Sequence, residues 1–377
     1  MMTQLFTSYI LLAILALSTT AAVGALSASP MKRILVTGAN SGIGLALTKQ
    51  LVKDHGCHVY LGSRDVIKGQ KAVDEVKQTA GDAVELLNID VSSEESVQSA
   101  AKDLASKLGS EKLYGLVNNA GTGVMHNTLP AEILDTNTRG PRRVVNQFLP
   151  LINQDCGRII NLGSGGGPNF VRSISNKSEK QRYLEPMSET QIEEELTKIL
   201  NTNDRRAAYQ GSKALLACYT MDLADQHPNL MTSIVTPGYI KTAMTEGAGA
   251  TKEPHEGTVS IKKALFEDLP SSGWFWGSDG LRSPLHWLRN PGEPEFDGVV
   301  DLWASKEEKV VVCCFTSAID ALKVWEFCIK NIWPSRNMEQ VNELIFPSPT
   351  PLLSSLPNTC SATSSEVLLD HQLYNSD

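Results

Sequence analysis

The most constraining feature of the sequence is a regular alternation of short apolar segments with longer helical patterns. It predicts strands at 34–36, 58–61, 84–89, 113–117, 158–162 and 231–235, and helices at 43–53, 66–79, 95–108, 133–152 and 207–226. Helices of this length between strands favour a parallel sheet that is covered on both faces. The sequence therefore predicts an α/β fold with a doubly wound parallel sheet of the dinucleotide-binding type.

Composition narrows the function classes. The 377 residues carry a formal net charge of −8, so no basic excess is present to neutralise phosphates, and we expect no nucleic-acid partner. Seven cysteines are too few for a disulfide framework in a chain of this length, and none forms a Cys-x-x-Cys pair. We therefore predict no metal site.

The two ends of the chain differ from its centre. Residues 9–17 are an apolar run followed by small residues, which favours a signal peptide or targeting leader over 1–30. A membrane anchor at 9–26, the only membrane contact we expect, and a translation start at Met31 are the alternatives. The leader, the anchor and the start at Met31 correspond, in that order, to a secretory or organellar location, a membrane-attached cytosolic domain and a cytoplasmic protein. The main domain is expected at 31–298, with an extension at 299–377 that is disordered from about 346.

A glycine-rich segment follows the first predicted strand and begins the first predicted helix. Gly38 permits a tight turn, Gly42 allows a pyrophosphate to approach the backbone, and Gly44 allows close packing of helix and strand. Free N–H groups at the helix start favour a phosphate there. The predicted cofactor-binding residues of this segment are Gly38, Asn40, Ser41, Gly42, Ile43 and Gly44. The alternative is a glycine-rich turn that binds nothing.

Tyr209 and Lys213 are four residues apart in a predicted helix, which places both side chains on one face. An ammonium group close to a phenol favours the phenolate and lowers the pKa of the tyrosine from about 10. Such a tyrosine can donate and accept protons near neutral pH. The alternative is a pair of residues on a helix surface.

Five motifs together resemble the short-chain dehydrogenase/reductase family. They are TGANSGIG (37–44), NNAG (118–121), INLGS (160–164), YQGSK (209–213) and PGYIKT (237–242), in the order expected for that family. The resemblance covers about 31–296, and the spacing of the glycines is similar to the non-extended branch. It implies a Rossmann fold and an oxidoreductase that uses a nicotinamide cofactor.

The resemblance also implies roles for individual residues. Tyr209 would be the general acid, and Lys213 would hold the nicotinamide ribose and lower the pKa of Tyr209. Ser164 would hydrogen-bond the substrate carbonyl, although the residue before it, usually a serine, is Gly163 here. Asn137 matches the asparagine whose backbone carbonyl anchors a water in proton relay.

Pro141 supports the assignment of Asn137 on physical grounds. Proline has no N–H, so residue 141 cannot bond the carbonyl of Asn137 four residues earlier. That carbonyl is left free for a water, and we expect a kink in the helix. The alternative is that Pro141 marks a helix start and Asn137 lies in the preceding turn.

Cofactor selectivity depends on the residues after the second strand. An acidic residue there would bind the ribose hydroxyl of NADH, but Gly62 and Ser63 are followed by Arg64, which suits a 2′-phosphate. We therefore predict NADPH, with NADH less favoured, although Asp65 is adjacent. By resemblance, the remaining cofactor contacts are Asp90, Val91, Asn119, Gly121, Pro237, Gly238, Ile240 and Thr242.

An insertion at about 168–204 separates Ser164 from Tyr209, with a helix predicted at 188–200. It is similar to the insertion of the monomeric carbonyl-reductase and menthone/salutaridine-reductase-like group. The resemblance implies a helical lid whose residues 170–183 and 188–200 line the substrate pocket, and a monomer. The aromatic stretch at 272–276 is either a substrate wall or, as we prefer, a late strand at the sheet edge.

The resulting prediction is NADPH-dependent reduction of a ketone or aldehyde carbonyl in a small-molecule substrate that the sequence does not identify. The first alternative is an NAD-linked alcohol or steroid dehydrogenase. Light-dependent protochlorophyllide reductases share the fold, but the intact NNAG motif counts against them. A regulatory protein that binds NADPH without turnover is the last alternative, and retention of both Tyr209 and Lys213 argues against it.

Overall fold

A seven-stranded parallel sheet lies at the centre of the protein. The computed structural model describes residues 31–125 and 127–300. The strands are β1 (Arg33–Val36), β2 (His58–Ser63), β3 (Val84–Asn88), β4 (Gly115–Asn118), β5 (Arg158–Leu162), β6 (Met231–Val235) and β7 (Trp274–Trp276). Their order is β3-β2-β1-β4-β5-β6-β7, and every neighbouring pair is parallel. The predicted doubly wound Rossmann-type sheet is confirmed.

Helices cover both faces of this sheet. They are α1 (Gly42–His55), α2 (Val66–Thr79), α3 (Glu94–Leu108), α4 (Pro130–Leu134), α5 (Gly140–Phe148), α6 (Gly166–Ser173), α7 (Lys177–Arg182), α8 (Glu189–Asn201), α9 (Arg205–Gln226) and α10 (Val259–Phe266). Strand residues alternate between the two cores: Leu35 faces one cluster, and Ile34 and Val36 face the other. Burial on both faces explains why the strands read as continuous apolar runs.

Helix 133–152, predicted as largely continuous, is divided into several segments. After α4, residues Asp135–Arg139 form a turn with the wider π-helical spacing, here called the π-turn. Helix α5 follows with Pro141 in its first turn, and a short 3₁₀ turn at Leu149–Leu151 ends the region. Pro141 therefore lies at the start of a helix that continues directly from the turn containing Asn137, as the alternative expects. The free Asn137 carbonyl stays a prediction.

The insertion contains three helices rather than one. Helix α8 agrees with the prediction, and its capping residue Ser188 bonds to Gln191 in both directions. Its apolar face packs into the core next to α9 and α4, through Ile192, Leu196 and Ile199. Tyr183 is 2% exposed and donates from its hydroxyl to Glu195. The prediction that Tyr183 lines the pocket is therefore wrong, because its ring fills the core beneath the insertion.

The aromatic stretch forms the late strand β7, as preferred from the sequence. Phe275 and Trp276 are buried in the two cores, and the guanidinium of Arg282 lies 3.6 Å from the ring centre of Trp274. The N–H of Ser283 donates to the Phe275 carbonyl at 2.8 Å, which covers the outer edge of the strand. The alternative of a substrate wall is therefore wrong.

The predicted leader (1–30) and the extension beyond residue 300 lie outside the described residues. Within the described part, no helix is both long and apolar enough to cross a membrane.

Candidate active site

The glycine-rich segment forms a tight turn between β1 and α1. Gly38 has φ +62°, and a Cβ on it would lie 2.8 Å from the Ala120 Cα. A Cβ on Gly44 would lie 2.6 Å from the Asn119 Nδ2. Helix α1 begins after Ser41, whose hydroxyl makes no capping bond. The turn therefore keeps its backbone and the first N–H groups of α1 accessible to a phosphate, with Asn40 and Ile43 in the same stretch.

Asn119 supports this turn. Its Nδ2 donates to the carbonyls of Thr37 at 2.8 Å and Gly38 at 3.0 Å, and its backbone N–H donates to Thr37 Oγ1 at 3.1 Å. The Asn119 side chain thus holds the glycine turn. Gly121, two residues further on, borders Lys213, since a Cβ there would lie 3.7 Å from the Lys213 Nζ.

The structure brings Ser164, Tyr209 and Lys213 together at the carboxyl ends of the strands. The side chains of Ser164 and Tyr209 lie side by side, since a Cβ on Gly166 would lie 3.3 Å from Tyr209 Cε1 and 3.5 Å from Ser164 Oγ. Lys213 donates from Nζ to the Leu162 carbonyl at 2.8 Å. The residue before Ser164 has no room for a side chain, because a Cβ on Gly163 would lie 2.9 Å from Ile234. Packing therefore explains why the usual first serine is absent.

Burial is the main influence on the pKa values of Tyr209 and Lys213. It raises the pKa of Tyr209, and the hydrogen bond with Ser164 offsets only part of that change. It also lowers the pKa of Lys213 from its ordinary 10.5 to about 8. The pKa of Tyr209 is therefore raised rather than lowered, because desolvation of the phenol is the largest influence on it and Lys213 is not among the groups that shift it.

Asn137 is fully buried in the π-turn. Its Oδ1 accepts from the Thr122 N–H at 2.8 Å, and its Nδ2 donates to the Thr122 carbonyl at 2.9 Å and to Ser212 Oγ at 3.2 Å. Ser212 lies between Tyr209 and Lys213 on α9, so the turn is tied to the catalytic helix. The side chain is thus engaged by Thr122 and Ser212, and the relay through the backbone carbonyl stays a prediction.

Arg64 and Asp65, the two charged residues that follow β2, have different surroundings. Asp65 caps α2 by accepting from the Lys68 N–H at 2.9 Å, and that bond is the main reason why its pKa is lowered. Arg64 is exposed, and within the described part its guanidinium has no hydrogen bond or ion pair. Asp65 is therefore engaged as a helix cap, and Arg64 is available for an anion.

Two predicted adenine contacts follow β3. Asp90 accepts from the N–H and hydroxyl of Ser92 at 3.0 and 2.7 Å, and is half-buried. Val91 is buried, and a Cβ on Gly140 would lie 3.1 Å from its Cγ2. The Val91 side chain thus packs at the start of α5.

The loop after β6 reaches the glycine turn. A Cβ on Gly42 would lie 3.2 Å from the Thr242 Cγ2, and a Cβ on Gly123 would lie 2.7 Å from the Met244 Cγ. Ile240 is buried, while Pro237 and Gly238 form the bend at its start, with φ +87° at Gly238. The structure therefore brings this loop next to the segments after β1 and β4.

Sequence reasoning missed Leu288. A Cβ on Gly165, the residue after Ser164, would lie 2.9 Å from the Leu288 Cδ1. Arg289, which is buried, holds the segment through an ion pair with Asp279 and a hydrogen bond to Ser283 at 3.0 Å. The segment 277–298 has no regular periodicity, so only the structure reveals this neighbour of the site.

The chain is similar to known proteins in both sequence and fold. A family model described as short chain dehydrogenase matches residues 32–176. The chain is 29% identical to (+)-neomenthol dehydrogenase of Arabidopsis thaliana over 284 residues, which is 64% of this chain and 94% of that protein. It is 31% identical to carbonyl reductase [NADPH] 1 of Macaca fascicularis over 254 residues, 61% of this chain and 88% of the relative. The structure of salutaridine reductase from Papaver somniferum has a TM-score of 0.57 at 28% identity and covers 65% of this chain and 99% of that one.

Proposed function

This chain belongs to the short-chain dehydrogenase/reductase family, and on that premise we propose that it reduces a ketone or aldehyde carbonyl to an alcohol with NADPH. The observation that carries the proposal is the juxtaposition of Ser164 and Tyr209, with Lys213 bonded to the nearby Leu162 carbonyl, at the carboxyl ends of the strands. Ligands bind at this edge in doubly wound sheets.

The residues present fit the cofactor. The turn at Gly38 and Gly44 leaves no room for side chains, and Gly121 keeps the approach to Lys213 open. When bound, the nicotinamide supplies the hydride. Arg64, exposed and unpaired within the described part, favours NADPH over NADH because a guanidinium matches a phosphate. The engagement of Asp65 as a helix cap supports the same choice.

Ser164 and Tyr209 would donate hydrogen bonds to the carbonyl oxygen as negative charge develops on it. The raised pKa of Tyr209 keeps the phenol protonated at neutral pH, which is the form needed to give a proton during reduction. Lys213, with a pKa of about 8, remains largely cationic at pH 7 and stabilises charge that develops in the buried site. The carbonyl of Asn137 would hold the water that replaces the proton.

Apolar side chains on or beside the segments that follow β4 and β5 favour an apolar substrate. Leu288 lies next to Gly165, Met244 lies next to Gly123, and Val124 and Met125 are partly exposed after β4. Removing such surfaces from water would contribute to binding of an apolar ketone. Two of the relatives are a (+)-neomenthol dehydrogenase and a salutaridine reductase, which supports substrates of that kind.

We also propose that the chain acts as a monomer. The apolar face of α8 is buried against α9 and α4, and the outer edge of β7 is hydrogen-bonded to Ser283. Two surfaces that could pair with a second copy are therefore covered by the chain itself.

The test is oxidation of NADPH and NADH by the full chain with a panel of ketones, aldehydes and quinones. Tyr209→Phe should lower kcat by about 10²- to 10⁴-fold while NADPH binding is retained. Tyr219→Phe is the control, because this second tyrosine of α9 is buried and its hydroxyl has no hydrogen-bond partner among the residues that the structure describes.

Other outcomes would favour the alternatives. Turnover with NADH alone would point to an NAD-linked alcohol or steroid dehydrogenase. Tight NADPH binding without turnover of any compound would point to a regulatory protein. Failure to bind either nucleotide would contradict the proposal as a whole.

A further inference from the structure

The insertion is joined to the π-turn by one carboxylate. Arg139, the last residue of the π-turn, donates from Nε and Nη2 to the Glu193 Oε2 at 3.0 and 2.7 Å. Arg142, in the first turn of α5, donates from Nη1 to the Glu193 Oε1 at 2.7 Å. Glu193 of α8 therefore binds two arginines that lie on either side of Pro141.

This contact is a partly shielded, charge-assisted network. The side chain of Arg142 is 7% exposed, and Glu189, one turn earlier on α8, also accepts a hydrogen bond from it. Burial alone would raise the pKa of Glu193, but the hydrogen bonds from Arg139 and Arg142 outweigh that effect and lower it. Two-point contacts of this kind fix geometry as well as adding energy.

The π-turn needs such support. A turn with π-helical spacing is rare and less favourable than α-helix, and Pro141 removes one N–H from the helix that follows. At the other end of the turn, Asp135 is paired with Arg143 at 2.5 Å. Both ends of the segment that contains Asn137 are therefore held by ion pairs, one within the helix and one from the insertion.

We propose that Glu193 is a positioning residue, which holds Arg139 and Arg142 so that the π-turn presents the Asn137 carbonyl to the catalytic group. The inference rests on the proposed function, in which that carbonyl supports proton supply to Tyr209. The insertion thus has a role in the reaction in addition to covering the helices.

The neighbouring carboxylate of Glu195 has contacts of a different kind, which stabilise the insertion itself. Glu195, 2% exposed, accepts from Tyr183 and pairs with Arg182 and Lys198, all of them within the insertion. Together with the apolar face of α8, Glu195 holds the insertion in its own fold. Glu193 instead points across to the π-turn, so its loss should affect the turn more than the insertion.

The test compares four forms of the full chain with the unmodified protein. They are Glu193→Gln, Arg139→Gln, the double variant, and Glu194→Gln as the matched control, because Glu194 is exposed on the same helix. The measurements are kcat, KM for a ketone, the solvent deuterium isotope effect on kcat, the Kd of NADPH, and the Tm.

Glu193→Gln and Arg139→Gln should each lower kcat by about tenfold, less than the about 100-fold expected for a misplacement of 1 Å. The solvent isotope effect should rise, because proton supply becomes slower, while KM and the Kd of NADPH change little. The double variant should be no worse than Glu193→Gln alone, since Arg139→Gln removes one of the two contacts that Glu193→Gln already removes. Glu194→Gln should behave as the unmodified protein.

A fall in Tm with kcat and isotope effect unchanged would overturn the inference and leave Glu193 a structural residue. A parallel change in kcat, KM and NADPH affinity would do the same, because it would indicate general disturbance. Absence of NADPH turnover by the unmodified chain would instead contradict the proposed function, on which the inference depends.

Discussion

The Nζ of Lys213 donates to the backbone carbonyl of Leu162 at 2.8 Å. Leu162 is the last residue of β5, and Gly163 and Ser164 follow it directly. The lysine is 7% exposed, and this carbonyl is its hydrogen-bond partner within the described part. The cation is therefore held in the site by a neutral group, at a cost in solvation that the protein must bear.

Replacement of Lys213 by methionine should stabilise the protein at pH 7 while abolishing turnover. Burial lowers the pKa of Lys213 from 10.5 to about 8, so the folded state carries a charged-form penalty on the order of 3 kcal/mol at pH 7. Loss of the bond to Leu162 returns about 1 kcal/mol. Urea unfolding should therefore show Lys213→Met to be about 2 kcal/mol more stable.

The difference in stability between Lys213→Met and the unmodified protein should depend on pH. Between pH 8 and 10.5 the unfolded chain binds more protons at Lys213 than the folded chain, so the stability of the unmodified protein rises with pH in that window. The advantage of Lys213→Met should shrink over the same range and be constant below pH 8. An advantage that stays constant up to pH 10.5 would show that desolvation of the ammonium is not its cause.

The fold was largely predictable from the sequence, because strand and helix periodicities are local signals. The bounds of α2 agree with the prediction at both ends, and the resemblance identified Ser164 and Tyr209, which the structure places side by side. The pairing of Arg139 with Glu193 could not be predicted, because 54 residues separate them and charged residues on a helix usually face solvent.

The same limit applies to Leu288, which approaches Gly165 from a segment with no regular pattern. The pKa of Tyr209 was misjudged for a related reason. Spacing along a helix shows that an ammonium is near, but the degree of burial depends on the whole fold.

Arg64→Gln should weaken NADPH binding selectively. Charge-assisted hydrogen bonds contribute about 1.5–3 kcal/mol, so the Kd of NADPH should rise by about 10- to 100-fold while that of NADH is unchanged. Fluorescence titration of the two nucleotides measures both. Lys68→Gln, which removes another exposed cation at the start of α2, is the control. An equal loss of affinity for NADH would mean that Arg64 does not contact the 2′-phosphate.

Leu288→Ala should change substrate preference. Each buried methylene contributes about 0.8 kcal/mol, so partial loss of the leucine side chain should raise KM for bulky apolar ketones by about tenfold. A small aldehyde that does not reach this wall should keep its kinetic constants. Leu281→Ala, an exposed leucine of the same segment, should change neither. A similar KM increase for both substrates would place Leu288 outside the pocket.

Gly44→Ala should reduce both stability and NADPH binding. Helix propensity alone predicts that alanine is about 1 kcal/mol better than glycine inside α1. The structure predicts the opposite, because the added Cβ would lie 2.6 Å from the Asn119 Nδ2 and 2.7 Å from the Gly38 carbonyl oxygen. Asn119 holds the glycine turn, so its displacement should disturb the phosphate site.

Gly56→Ala provides the comparison at the other end of α1. Gly56 has φ +59°, and no atom of the described residues lies within 4 Å of an added Cβ, so backbone strain opposes the substitution, at about 1 kcal/mol. Its Kd for NADPH should equal that of the unmodified protein. Urea unfolding together with NADPH titration of the two variants checks both expectations. Normal NADPH affinity in Gly44→Ala would show that close packing against Asn119 is not required for the cofactor site.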